Sequence, residues 1–420
     1  MIRTIPALCM MVVASAAQSV SGAGPADLSP AARGIAEAAK AIADNPAQSA
    51  GYNLLAAALV RRAQETSDVA FYGQAGDAVK KSLAIAPDNF DAAKIQVSIL
   101  LGQHEYRAAL EAAGTLHKRV ADDVMVHGFL ADADVELGNY KDAVIEAQWM
   151  LNLRPGNLPA LTRAAHLREL FGQTEGAYEL LDMAYQSTPP AAAGERASIL
   201  TDMGHLRLAS GDAGAAETLI ERALSAFPGY PSALANLAQI RIAQKRYADA
   251  VELLQQFYRR VPRAANLYCL AEALGLAGRE GEARRAFDGF EAQSLKESSA
   301  RDNSNRELVF YYADHAQRPA EALKVARQEY AWRHDIYTLD AYAWALHVNG
   351  RDADARKQME AALATGARDA RLLHHAGEIA LAAGDRAAAA RYLEESAGLN
   401  TVDSEPARIA LAALSQAASK

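Results

Sequence analysis

An all-α chain, folded as a solenoid of stacked helix pairs, is what the sequence predicts, and three observations predict it. Of the 420 residues, 51% are hydrophobic but only 7% are aromatic, and Ala alone supplies nearly a quarter. That composition suits close helix packing through small side chains. Tyr72, Tyr106 and Tyr140 recur every 34 residues, and Gly138 to Gly172, Pro155 to Pro189 and Pro228 to Pro262 repeat the step. A period of this length marks stacked supersecondary units. Pro also follows an Ala column by twelve residues, at Pro87, Pro155, Pro189, Pro228 and Pro262. Five such coincidences of an uncommon residue are not expected by chance.

The segment SPAARGIAEAAKAIADNP, within residues 28–46, predicts a lone N-terminal helix. From residue 51 onward each unit reads as a first helix, a turn at Gly, a second helix and a Pro-marked turn. Gly supplies the left-handed residue that ends the first helix. Pro lacks an N–H donor and stops the second. The bends read GNYKDA, GQTEGA, GDAGAA, GREGEA, GRDADA and GDRAAA. The Ala column runs through Ala75, Ala109, Ala143, Ala177, Ala216, Ala250, Ala283, Ala322, Ala355 and Ala389. Small residues precede it at Ala131, Ala165, Gly204, Ala238, Ala271, Ala343 and Gly377, letting paired backbones approach. Leu130, Leu137, Val144 and Leu151 are expected to fill the space around them. No pair can cover its own apolar face, so neighbours must stack.

Two steps of the Ala column measure 39 residues, Ala177 to Ala216 and Ala283 to Ala322, so about five residues are inserted in each. The first insertion lies near TPPAAAGER. The second, KESSARDNSN at residues 296–305, has no apolar period and predicts a hinge. It would separate an array of about seven units at 51–295 from one of about three at 306–403. Residues 404–420 begin with Ser404 and Pro406, helix-start signals, and are expected to form a C-terminal capping helix.

This spacing and these motifs resemble the tetratricopeptide repeat, over roughly residues 51 to 403. The resemblance implies a right-handed superhelix of about ten helix-turn-helix units. The family's Trp in the first helix is replaced by Leu161, Leu200, Leu234, Leu267, Leu339 and Leu373, which keep its hydrophobic role. The pattern weakens at QETSDVAFY, and again at Phe310 to Ala331, where Pro319 stands for the usual aromatic.

Residues 1–23 read as a cleaved signal peptide of the exported bacterial type. Arg3 is the basic start, Ile5 to Ala14 the apolar stretch, and Ala14-Ser15-Ala16 or Ser15-Ala16-Ala17 offers small residues for cleavage. The apolar run is shorter than the ~20 residues a membrane span needs. Leu8 before Cys9 argues against lipid attachment. The expected location is therefore periplasmic or secreted, with no integral membrane span after cleavage. Cleavage would leave Cys269 as the one cysteine, so no intramolecular disulfide is expected.

A formal charge of −8 and a pI near 5.7, with no basic stripe, argue against a nucleic-acid partner. In the resembled family, ligands lie on the concave surface lined by the first helices. By position, that surface would present Asp132, His166, His205, Gln239, Glu272, Trp344 and Glu378. The last two units add Tyr337, Asp340, His347, Arg371 and His374. Arg371 offers a bidentate fork for a carboxylate, and Trp344 a hot-spot aromatic. Cys269, in NLYCLAEAL, reads as a small hydrophobe.

HHAGE supplies His374, His375 and Glu378 but is not HExxH, so no metal site and no cofactor are assigned. Nucleophile-elbow, P-loop and dinucleotide motifs are lacking, and no enzymatic activity is expected. The expectation is an exported scaffold or assembly factor that binds a protein or peptide in its groove. Alternatives are a self-assembling structural repeat protein and a small-ligand sensor working through the C-terminal groove cluster.

Overall fold

The computed structural model describes residues 29–399, 401 and 403–418; the signal segment lies outside them. Among the described residues there are 22 α-helices and no strand, an all-α repeat fold. The chain divides into two compact units, Met1–Gln103 and His104–Lys420.

The first unit holds α1 (Pro30–Asp44), α2 (Ser49–Thr66), α3 (Ala70–Ile85) and α4 (Phe90–Gly102). Ser29 caps α1, and Glu65 at the end of α2 takes the Ser29 hydroxyl at 2.6 Å and the Ala31 N–H at 3.1 Å. A carboxylate thus satisfies a helix start that would otherwise leave its donors open. Ala56, Leu59, Ala75, Val79 and Ile99 form its core. Buried Ser82 donates to Asn53 at 2.6 Å and accepts from Asn89 at 3.0 Å, so the polar group under the turn is satisfied.

The second unit opens with α5 (Tyr106–Arg119). Eight helix pairs follow: α6 (Val124–Glu136) with α7 (Tyr140–Leu153), α8 (Leu158–Leu170) with α9 (Thr174–Ser187), and α10 (Ala193–Ala209) with α11 (Ala213–Ala226). Next come α12 (Pro231–Ala243) with α13 (Tyr247–Arg260) and α14 (Ala264–Leu276) with α15 (Glu280–Glu297). The last three are α16 (Asn305–Phe310) with α17 (Pro319–Tyr330), α18 (Ile336–His347) with α19 (Asp352–Leu363), and α20 (Ala370–Ala382) with α21 (Arg386–Gly398). A single helix, α22 (Ser404–Ala418), ends the array.

The repeat columns have physical counterparts. The turn inside each of these eight pairs holds a left-handed residue two positions before the second helix. It is Gly in six of them, including Gly138 and Gly172, but Lys245 and Gln317 in the other two, with φ of 59° and 52°. The five column prolines each stand two residues past the end of a second helix. The Ala column is almost fully buried. A further column of the same period, Asn89, Asp123 and Asn157, then Asp335 and Asp369, caps the first helices with side-chain oxygens. Val144 departs from expectation: it faces outward beside exposed Ile145.

The second insertion does not form an open loop. α15 runs on to Glu297, and a short connection leads to α16, which continues into one π turn, Tyr311–His315. Asn303 and Asn305 donate to the buried Glu329 carboxylate at 3.2 and 3.0 Å. Arg333 also pairs with Glu329, and Arg263 with Asp302.

The array curls until distant pairs touch. The His334 N–H donates to the Glu136 carbonyl at 3.2 Å, and the Ile336 N–H to the Tyr140 hydroxyl at 2.9 Å. One hydrophobic core joins Val135, Ala143, Leu167 and Leu170 to Ile336, Leu339 and Leu372.

Candidate functional site

Curling forms a half-open cavity of about 930 Å³ within the second unit. Its wall on one side comes from α8, α10, α12 and α14, the first helices of successive pairs. The opposite side comes from Tyr337, residues 367–371 and α22. Each first helix turns its groove face inward because its other face is held by the Ala column. The π turn places Tyr311 and His315 in the lining beside Phe287.

At the α8–α10 wall, Glu169 sits between two histidines, with His205 Nε2 at 3.1 Å and His166 Nδ1 at 3.5 Å. Burial opposes the Glu169 charge, but hydrogen bonds from His166 and His205 outweigh it and hold the carboxyl at about 2. His205 is raised, chiefly by its bond to Glu169; His166 is raised by Glu169 against the effect of burial. Burial pushes neighbouring Asp202 up to about 6. Both histidine side chains are about half exposed, at 51% and 53%, so water within the cavity screens them.

Across the cavity, Arg371 pairs with Asp403 at 2.9 Å and lies over Phe310. Asp403 holds its guanidinium far above the ordinary range. Burial raises the phenols of Tyr268 and Tyr337. Cys269 also lines the cavity, and burial, then Glu272 and Glu307, pushes its thiol up to about 12. A thiol so protonated is no nucleophile.

Of the residues singled out by sequence, His205, Gln239, Glu272, Tyr337 and Arg371 meet in this cavity. His166 stands beside it through Glu169. Asp132 is taken by Arg163, bidentate at 2.7 and 2.6 Å. The C-terminal group separates into two places, the cavity and a cluster around the Trp344 ring, whose centroid lies 5.1 Å from that of His347 and 6.0 Å from that of His374. Tyr337 and Arg371 face the cavity, and His347 pairs with Asp352 at 2.7 Å. Asp340 is buried against His375 at 2.8 Å. Trp344 stacks on that same His375, ring centroids 4.1 Å apart, and donates to Asp314 at 2.8 Å. His374 reaches toward Glu378 at 3.9 Å, and burial, then His375, lowers it to about 4.

Sequence reading missed Glu169, Asp369, Asp403, Tyr311 and His315. Asp369 carried a signal in its capping spacing, and Glu169 in its place one turn after His166. Tyr311 and His315 lie in the divergent unit, where no register was available. Among the described residues, no group of three or more His, Cys, Asp or Glu is arranged to hold a metal ion, and no helix is long and apolar enough to cross a membrane.

A helical repeat fold with a groove lined by its first helices defines the class to which this site belongs. Residues 207–265, spanning the end of α10 to the start of α14, match the tetratricopeptide repeat family model. Among solved structures, it is similar to the human IFIT1 dimer with PPP-AAAA, at 13% identity over 83% of this chain and 90% of that one, TM-score 0.49. It is also similar to yeast Tom70, at 14% identity over 91% and 92%, TM-score 0.39. PilW, a type IV pilus biogenesis factor, is 17% identical over 49% of this chain and 93% of its own, TM-score 0.42. No curated protein matches the sequence.

Proposed function

We propose that this protein is a binding scaffold whose second unit takes a peptide segment of a partner protein into its central cavity. One observation carries the reading: the cavity presents large apolar side chains to water, with Leu276 at 46% and Ile409 at 65% exposure, inside a wall rich in polar groups. Apolar anchors flanked by polar groups are what a peptide groove requires. In keeping with its N-terminal sequence, the protein would act after export, in the periplasm or outside the cell. Sequencing the N-terminus of the mature protein tests that part, and an intact Met1 would overturn it.

The cavity itself can be plugged. Gly275 lines it within α14, and a β-carbon built there meets nothing within 4 Å. Gly275→Trp therefore projects an indole into the cavity without a clash at the backbone, and replacing a mid-helix Gly favours the helix. Selection from a displayed peptide library should enrich sequences that bind the wild type and not the plugged variant. Enrichment of the same sequences by both proteins would remove the cavity from the account.

A further inference from the structure

The lining of the cavity is unbalanced in charge. Eight carboxylates face it against three arginines, and the excess persists even with His205 and His315 protonated. The arginines offset part of it, since Arg371 neutralises Asp403 of the same lining and Arg284 lies four residues from both Glu280 and Asp288 on α15, and the balance stays negative. Arg371 is engaged by Asp403, and Arg368 by Glu395 at 3.0 Å, which lies outside the lining. Among the described residues, three carboxylates, Glu280, Asp288 and Glu307, make no salt bridge, and the one salt-bridge partner of Glu272 is His315 at 3.9 Å. Glu280 and Asp288 lie on α15 and Glu307 on α16, so neighbouring repeats contribute to the excess. Leu276 ends the preceding helix, and Ile409 lies on α22; both are exposed within the same space.

An occupant must complement both features. A segment ending in a carboxylate or bearing phosphate would meet repulsion here, and Arg371 is already paired. We propose that the occupant is a cationic segment of a partner polypeptide, its Lys or Arg side chains set among apolar ones. This rests on the reading of the cavity as a peptide site. Cationic side chains would meet Glu280, Asp288 and Glu307, and apolar ones Leu276 and Ile409. Complementary charge within a confined, low-dielectric wall favours encounter and fixes register.

The test uses a fluorescein-labelled decapeptide of alternating Lys and Leu, its Glu–Leu counterpart, and spermine as competitor, read by anisotropy on the full chain. Wild-type protein should bind the Lys–Leu peptide, more weakly as salt rises from about 0.1 M to about 1 M. Combining Glu280→Gln, Asp288→Asn and Glu307→Gln should weaken it about tenfold. Among the described residues these carboxylates hold no ion pair, so the variant should fold, and a melting curve checks it. A control carrying Glu179→Gln, Glu252→Gln and Glu321→Gln, exposed outside the cavity, should bind like the wild type. Leu276→Ser with Ile409→Ser should weaken the peptide and leave spermine unchanged.

Equal loss in the control would overturn the proposal, since charge at large would then suffice. Tighter binding of the Glu–Leu peptide, blocked by Gly275→Trp, would overturn the charge assignment while the peptide site stands. Binding of both peptides unaffected by Gly275→Trp would overturn site and occupant together.

Discussion

The carbonyl oxygen of His334 lies 2.7 Å from where a β-carbon on Gly138 would stand, although 196 residues separate the two. The same happens one pair later, where the Gly366 carbonyl lies 2.2 Å from a β-carbon position on Gly172. Both glycines have positive φ, so each is required twice, once by its turn and once by the closure of the array. Gly384 has φ of 82° and no such neighbour. Gly384→Ala should cost about 1 kcal/mol of backbone strain. Gly138→Ala and Gly172→Ala should cost roughly 1–3 kcal/mol more through overpacking. Denaturant midpoints of the three variants check the difference, and equal midpoints would show that the contact yields freely.

The turns at Lys245 and Gln317 carry the opposite prediction. A left-handed non-glycine residue costs roughly 1–2 kcal/mol, part of which Gly returns as unfolded-state entropy. Lys245→Gly should therefore raise stability by about 0.5 kcal/mol. A lower melting temperature would mean that the Lys245 side chain makes contacts worth more than the strain.

Glu329 is almost wholly buried and takes Arg333, Asn303 and Asn305. Glu329→Ala leaves Arg333 near the more distant Glu136, at 3.6 Å. Breaking a buried pair from one side costs about 3–5 kcal/mol, and that loss is expected here. The same contacts pin residues 298–305. The hinge expected from the polar run predicts rapid proteolysis there; the contacts predict slow cleavage in the wild type and fast cleavage in Glu329→Ala. Equally fast cleavage of both proteins would favour the hinge.

The His166–Glu169–His205 contact sets a pH dependence. The histidines are raised, so their stabilisation is complete below the unfolded value near 6.5 and is lost as pH rises through their folded values. Glu169, held at about 2, contributes fully above its unfolded value near 4.5 and loses that contribution as pH falls toward 2. Asp202, raised to about 6, makes stability decline as pH climbs between about 4 and 6. Asp369, raised by burial, acts in the same sense from across the cavity. Melting temperature should fall between pH 6.5 and 8 in the wild type and less so in Glu169→Gln. Identical slopes would remove the contact as their cause.

Local pattern in this sequence fixes the pairs. The Ala column, the prolines and most of the glycines specify helix, turn and helix because each acts within one unit, through backbone sterics and the packing of two neighbours. Asn89, Asp123 and Asn157 show that more was legible than the obvious columns, since their 34-residue spacing marks every helix start they cap. The groove positions of His205, Gln239 and Glu272 follow from register alone. What faces them does not. The pairing of Gly138 with His334, and the arrival of Tyr337, Arg371 and Asp403 opposite α10 and α12, depend on the small rotation between successive pairs summed over the array. That rotation is set by side-chain shape at every interface, a few degrees at a time. Only the folded second unit adds those degrees up, turning a concave face into a half-open acidic cavity.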